Sequence, residues 1–113
     1  VAGMLRSLNY AAEFALGEST AERPLDLPRL RPLADRWEQA ARETFLKAYR
    51  AAVTGCPCYP DDESHAEALF RLFTLEKALY ELRYELQNRP DWIDVPLTGL
   101  LAFLDTITEG DNA

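Results

Sequence analysis

The segment from Phe73 to Trp92 constrains this chain more than any other, because it reads as a helix with two apolar stripes instead of one. Leu72, Leu75, Leu79, Leu82 and Leu86 recur at alternating steps of three and four, which lines them along one side of an α-helix. Phe73, Tyr80 and Tyr84, with Phe70 at the edge, form a second stripe about a quarter turn round. A surface this wide predicts neighbours on two sides, beyond what a simple two-helix seam needs.

The charges on the same wheel sharpen the reading. Glu76 and Arg83 fall between the two stripes, whereas Arg71, Glu85 and Arg89 lie on the polar back. A charged side chain on a core-facing surface costs several kcal/mol unless it is paired or opens to a wet cavity. Glu76 and Arg83 therefore form either a buried ion pair among ordinary core tyrosines or the edge of a site. Lys77, Glu81 and Asn88 stand beside the tyrosine edge, so one flank offers two phenol rings, a cation, carboxylates and an amide.

The helix needs partners of its own kind, and the composition supplies them. Ala, Leu, Glu and Arg dominate, and glycine and proline mostly punctuate the periodic segments, which predicts an all-α domain of about four helices packed as a bundle over residues 1–113. The net charge of −7 opposes nucleic-acid backbones and anionic lipid. No apolar run approaches the ~20 residues that span a bilayer, and no signal peptide opens the chain, so the expected location is the cytoplasm, with no membrane and no nucleic acid among the partners.

In chain order, Leu5, Leu8, Ala12 and Ala15 share a first helical face, with Gly17 placed to stop the helix. The helix opens at Val1 without an initiator Met, which suggests a fragment of a longer chain. Glu18 to Pro28 reads as a loop. A second helix begins between Pro28 and Pro32 and runs to Thr54, with Leu33, Trp37, Ala41, Phe45, Ala48 and Ala52 on one face, Leu46 and Tyr49 widening it, and the pairs Glu38–Arg42 and Glu43–Lys47 on its surface. Gly55 and Pro57 end it.

Cys56-Pro57-Cys58 lacks the spacing of zinc and thioredoxin-like sites, and His65 adds no fourth ligand, so the segment reads as a turn with free thiols and no metal. Asp61, Asp62, Glu63 and Ser64 precede the central helix as capping residues, since carboxylates there meet unpaired N–H groups. Glu67 and Arg71 form a surface pair. Pro90 breaks the central helix and holds Trp92 near its end. Pro96, Leu97, Leu100, Leu101, Leu104 and Ile107 make a last helix that Gly110 can stop, and Asp111 to Ala113 are expected to fray.

Several of these segments resemble a known family. Val1-Ala-Gly-Met-Leu-Arg-Ser-Leu-Asn-Tyr-Ala-Ala12, Leu75-Glu-Lys-Ala-Leu-Tyr-Glu-Leu-Arg-Tyr-Glu-Leu86, Asn88-Arg-Pro-Asp-Trp92 and Pro96-Leu-Thr-Gly-Leu100 are similar to the C-terminal part of bacterial maltokinases, including the kinase portion fused to trehalose synthases. Trp37, Ala41-Arg42 and Phe45-Leu46-Lys47-Ala48-Tyr49 resemble the intervening family helix. The resemblance implies the helical C-terminal subdomain of a protein-kinase-like, aminoglycoside-phosphotransferase-like C-lobe. It implies a parent enzyme that transfers the γ-phosphoryl of ATP, with Mg2+, to maltose, giving maltose 1-phosphate in α-glucan, glycogen and trehalose metabolism. The family's His-Gly-Asp-like catalytic loop and Asp-Phe-Glu-like metal segment precede the stretch matching Val1 and are not in this sequence, so the fragment is expected to be inert alone, with no catalytic, metal or cofactor site of its own.

Its expected share is the sugar end of the cleft. Tyrosine faces accept sugar C–H groups and carboxylates accept sugar hydroxyls, which selects Tyr80, Tyr84, Glu81 and Lys77 for the substrate, with Glu76 and Arg83 as a supporting ion pair. Arg6 and Ser7 would brace the metal segment. The expected partners are maltose or a related disaccharide and the remaining kinase lobes in cis, with self-association of the isolated fragment through its uncovered apolar surface. The rival reading is a stand-alone helical interaction module whose double-striped helix docks a partner helix.

Overall fold

The computed structural model describes the backbone of residues 1–110 and the side chains of residues 1–105. The Ile107 side chain and the fraying expected at Asp111 to Ala113 lie outside the described residues. Those residues form four α-helices and no strand, so the chain is all-α. They divide into two compact units, one reaching to Ala66 and one beginning at Glu67.

In the first unit, α1 (Ala2–Thr20) and α2 (Leu27–Val53) are joined through a single 3-10 turn at Pro24–Asp26. Helix α1 starts where the Val1 carbonyl accepts the Leu5 N–H at 3.1 Å. It buries Ala2, Leu5, Arg6, Ala12 and Leu16. The expected face is thus shifted: Leu8 is half-buried and Ala15 exposed. Gly17 does not stop the helix, which runs on to Thr20, whose hydroxyl donates to the Leu16 carbonyl at 2.9 Å.

Two long-range bonds set the pairing of these helices. Asn9 Nδ2 donates to Glu38 Oε2 at 2.9 Å, and the Arg31 guanidinium donates to the Glu13 carboxylate. Position rises along α1 as it falls along α2, so the pair is antiparallel. Glu38 thus bonds Asn9, and Glu43 accepts from Gln39 at 2.9 Å, where the sequence suggested Arg42 and Lys47 as their partners.

Helix α2 begins at Leu27, ahead of the expected start, with Pro28 in its first turn where a missing N–H costs nothing. Pro32 lies inside the helix and removes the N–H that would reach the Pro28 carbonyl. Leu33 and Trp37 are exposed, and the half-buried face runs through Leu30, Ala34, Ala41, Phe45, Tyr49 and Val53. Ala41, Phe45, Leu46 and Tyr49 are half-buried as expected, whereas Ala48 and Ala52 are exposed.

Helix α3 (Glu63–Asn88) is capped as its sequence suggests: Asp62 Oδ1 accepts the Ser64 N–H and hydroxyl, each at 2.7 Å. These bonds, the hydroxyl's first, hold the Asp62 carboxyl below its usual range. The cap is complete above the unfolded carboxyl's pKa and weakens as pH falls through the lower, folded one. Glu67 and Arg71 pair at 3.4 Å as expected.

Beyond a 3-10 turn at Pro90–Trp92, α4 (Asp94–Gly110) buries Pro96 in its first turn. Leu97, Leu101 and Leu104 are exposed, whereas Val95, Leu100 and Phe103 are half-buried. No helix among the described residues is long and apolar enough to cross a membrane.

The largest departure from the sequence reading is the orientation of α3. Its buried residues are Ala78, Glu81 and Glu85, while Leu72, Leu79 and Leu86 are 58%, 50% and 57% exposed. Leu75 and Leu82, at the edge nearest the buried line, are half-buried. Glu76 and Arg83 are exposed, and among the described residues no ion pair joins them, so they carry no desolvation cost. The physical reason lies in the buried line itself. Ala78 leaves room for close approach, and Glu85 is neutralised by Arg89 just past the end of the helix, so a face that reads as polar can be covered.

Candidate functional site

The second unit carries a run of aromatic rings and cations along α3 and the turn after it. Four-residue spacing puts Tyr80 and Tyr84 one turn apart, and their rings stack with centroids 6.4 Å apart and planes 19° from parallel. Both are open, Tyr80 at 59% and Tyr84 at 43% exposure. Lys77, three residues before Tyr80, holds its ammonium 4.7 Å from that ring and 3.8 Å from Glu81 Oε1. The arrangement joins a cation–π contact to an ion pair on one short stretch of helix.

The far end is built by the helix stop. Pro90 pushes Arg89 out of the α region, to φ −146° and ψ 69°, and the following 3-10 turn brings Trp92 back over it. The Arg89 guanidinium lies 5.6 Å from the Tyr84 ring centroid and 5.2 Å from that of Trp92. It also donates Nε to Glu85 Oε2 at 2.9 Å and Nη2 to Oε1 at 2.7 Å. A planar fork can meet a carboxylate edge-on and aromatic rings face-on together, which a lysine ammonium cannot do. Glu85 is 1% exposed, and this two-point contact supplies charge-assisted bonds to a buried carboxylate. Asn88 donates its amide to the Tyr84 carbonyl at 2.9 Å, so that amide serves the helix end.

The structure therefore brings Lys77, Tyr80, Glu81 and Tyr84 together, and leaves Glu76 and Arg83 exposed and apart from them. Sequence reasoning missed Glu85, Arg89 and Trp92, having set the first two on the polar back. The signal was present in the four-residue order of Glu85 before Arg89, the favourable orientation for a helical ion pair, followed by Pro90. Ser7 donates to its own helix at the Gly3 carbonyl, 3.0 Å away, and Arg6 is buried over the Tyr10 ring at 5.7 Å.

The result is a partly exposed run in which Lys77 lies over Tyr80, Tyr80 stacks with Tyr84, and Arg89 lies between Tyr84 and Trp92. Among the described residues no group of three or more His, Cys, Asp and Glu side chains could hold a metal ion. No protein-family model matches this chain, and no solved structure matches it.

Proposed function

We propose that this chain is the C-terminal helical part of a maltokinase-like, aminoglycoside-phosphotransferase-like kinase of the cytoplasm, and that it supplies part of the sugar side of the cleft. The observation that carries the reading is the open Tyr80–Tyr84 stack bracketed by Lys77 and Arg89, with Glu81 alongside. Maltose, or a related disaccharide, lays its apolar ring face on the tyrosines and directs hydroxyls to the charged edges. ATP and Mg2+ are held by the remaining lobes of the kinase in cis, and the chain alone transfers no phosphoryl group.

In the intact kinase, Tyr84→Ala is expected to raise the KM for maltose about tenfold, close to 1.4 kcal/mol of binding, with the KM for ATP unchanged. An unchanged maltose KM would remove the platform from the sugar site. Steady-state kinetics with each substrate varied in turn decides it.

A second reading, a helical interaction module, is favoured by the exposure of Leu72, Leu79 and Leu86 along α3. On either reading the isolated chain self-associates through these leucines. Light scattering should show a mass above the monomer at high concentration, and Leu79→Glu should return it to the monomer. A strictly monomeric wild type at every concentration would contradict the prediction.

A further inference from the structure

The turn after α2 holds two thiols that neither reading uses. Thr54 leaves the helix with its hydroxyl on the Arg50 carbonyl at 3.0 Å, and Gly55 reverses the chain at φ +75°. That left-handed backbone suits glycine, since any Cβ there is strained. The Cys56 N–H returns to the Val53 carbonyl at 2.9 Å, and the Tyr59 N–H reaches the Cys56 carbonyl at 3.0 Å, closing a β-turn with Pro57 and Cys58 in the middle. Pro57 occupies the turn position that its fixed φ favours. The Tyr59 ring meets Tyr49 edge-on at 6.2 Å, which seats the turn on the last turns of α2.

This geometry puts Cys56 Sγ 3.0 Å from Cys58 Sγ, with both thiols free and Cys58 exposed. We propose that Cys56 and Cys58 form a thiol–disulfide exchange site, which reduces a low-molecular-weight disulfide and closes a Cys56–Cys58 disulfide across Pro57. This site goes beyond the kinase reading and does not depend on it.

The two sulfurs are already differentiated. The Sγ–Sγ contact, and after it the backbone N–H groups of Cys58 and Tyr59, hold the Cys56 thiol below its ordinary pKa, and the same contact pushes Cys58 up. Cys56 is thus the attacking thiolate and Cys58 the resolving thiol. Cys56 Sγ attacks one sulfur of RSSR, forming a mixed disulfide and releasing RS⁻, which takes up the proton that Cys56 gave. Cys58 then loses its proton and attacks Cys56 Sγ. The Sγ–Sγ bond forms, and the second RS⁻ leaves and is protonated. The dithiol gives up two electrons and two protons, and RSSR becomes two RSH.

Asp61, Asp62 and Glu63 follow closely, and the chain carries −7 overall, so a neutral disulfide is the appropriate probe. The test treats the reduced full chain with 2-hydroxyethyl disulfide at neutral pH and follows intact mass and released thiol. The wild type should lose two hydrogens, carry no adduct and release two thiols per chain. Cys58→Ser should stall with one adduct on Cys56. Cys56→Ser should acquire its adduct on Cys58 more slowly than Cys58→Ser acquires its own, because the backbone N–H groups of Cys58 and Tyr59 favour the Cys56 thiolate. The substitutions lie in an exposed turn, and an unchanged far-UV spectrum checks the fold. Adducts on both sulfurs of the wild type, cross-linked chains, no reaction, or equal rates in the two variants would each overturn the proposal.

Discussion

Arg89→Ala is expected to destabilise the fold by about 2 kcal/mol, the scale of losing charge-assisted hydrogen bonds to a buried carboxylate. The guanidinium donates twice to Glu85, at 2.7 and 2.9 Å, and that residue is 1% exposed. Truncation takes these bonds from a charge that water does not reach well, and it uncovers the facing surfaces of Tyr84 and Trp92. Two features hold the effect below the largest values known for buried pairs. The Arg89 side chain is itself 48% exposed, and Glu85 has further interactions in the fold. Arg89→Lys should recover only part of the loss, since an ammonium keeps the charge and gives up the two-point fork. Urea denaturation followed by circular dichroism measures all three forms. A midpoint unchanged in Arg89→Ala would show that the carboxylate does not depend on this partner.

Leu5→Ala should cost about 3 kcal/mol, within the range for emptying a buried leucine site. Leu5 is 3% exposed and sits in the first turns of α1, where its N–H anchors the helix start to the Val1 carbonyl. The loss combines transfer of the isobutyl group back to water with the cavity it leaves. Met4, its neighbour in sequence, is 51% exposed, so Met4→Ala should stay within about 0.5 kcal/mol. The pair of variants separates burial from helix propensity, because alanine suits a helix at both positions. Equal effects at the two positions would contradict the assigned face of α1.

The platform links both kinds of prediction. Arg89 stacks with the aromatic run and also neutralises the buried end of α3, so its replacement should lower stability and, on the kinase reading proposed above, sugar affinity of the parent enzyme. Tyr84→Ala should mainly affect affinity. Comparing the two variants distinguishes a residue that only supports the platform from one that also forms its surface.

The helices themselves were readable in advance. Pro90 and the capping Asp62 bracket α3, Pro28 opens α2, and Gly55, the one glycine with positive φ among the described residues, closes it. Each of these acts on the backbone within a few residues, through a missing N–H, a supplied acceptor or an allowed φ. Gly17 misled because glycine permits a helix stop without imposing one.

The site was half readable for a similar reason. Lys77, Tyr80, Glu81 and Tyr84 lie within about two turns of one helix, at three- and four-residue steps, so helical geometry alone joins them. Trp92 enters only because the chain folds back after Pro90. Which face of α3 is covered was not decided by its periodicity. The leucine stripe, the tyrosine stripe and the Ala78–Glu81–Glu85 line are all regular at helical spacing, and the structure covers the third. Periodicity says which side chains share a face. Covering a face depends on the room left by Ala78 and the neutralisation of Glu85 by Arg89, and those are properties of the folded packing.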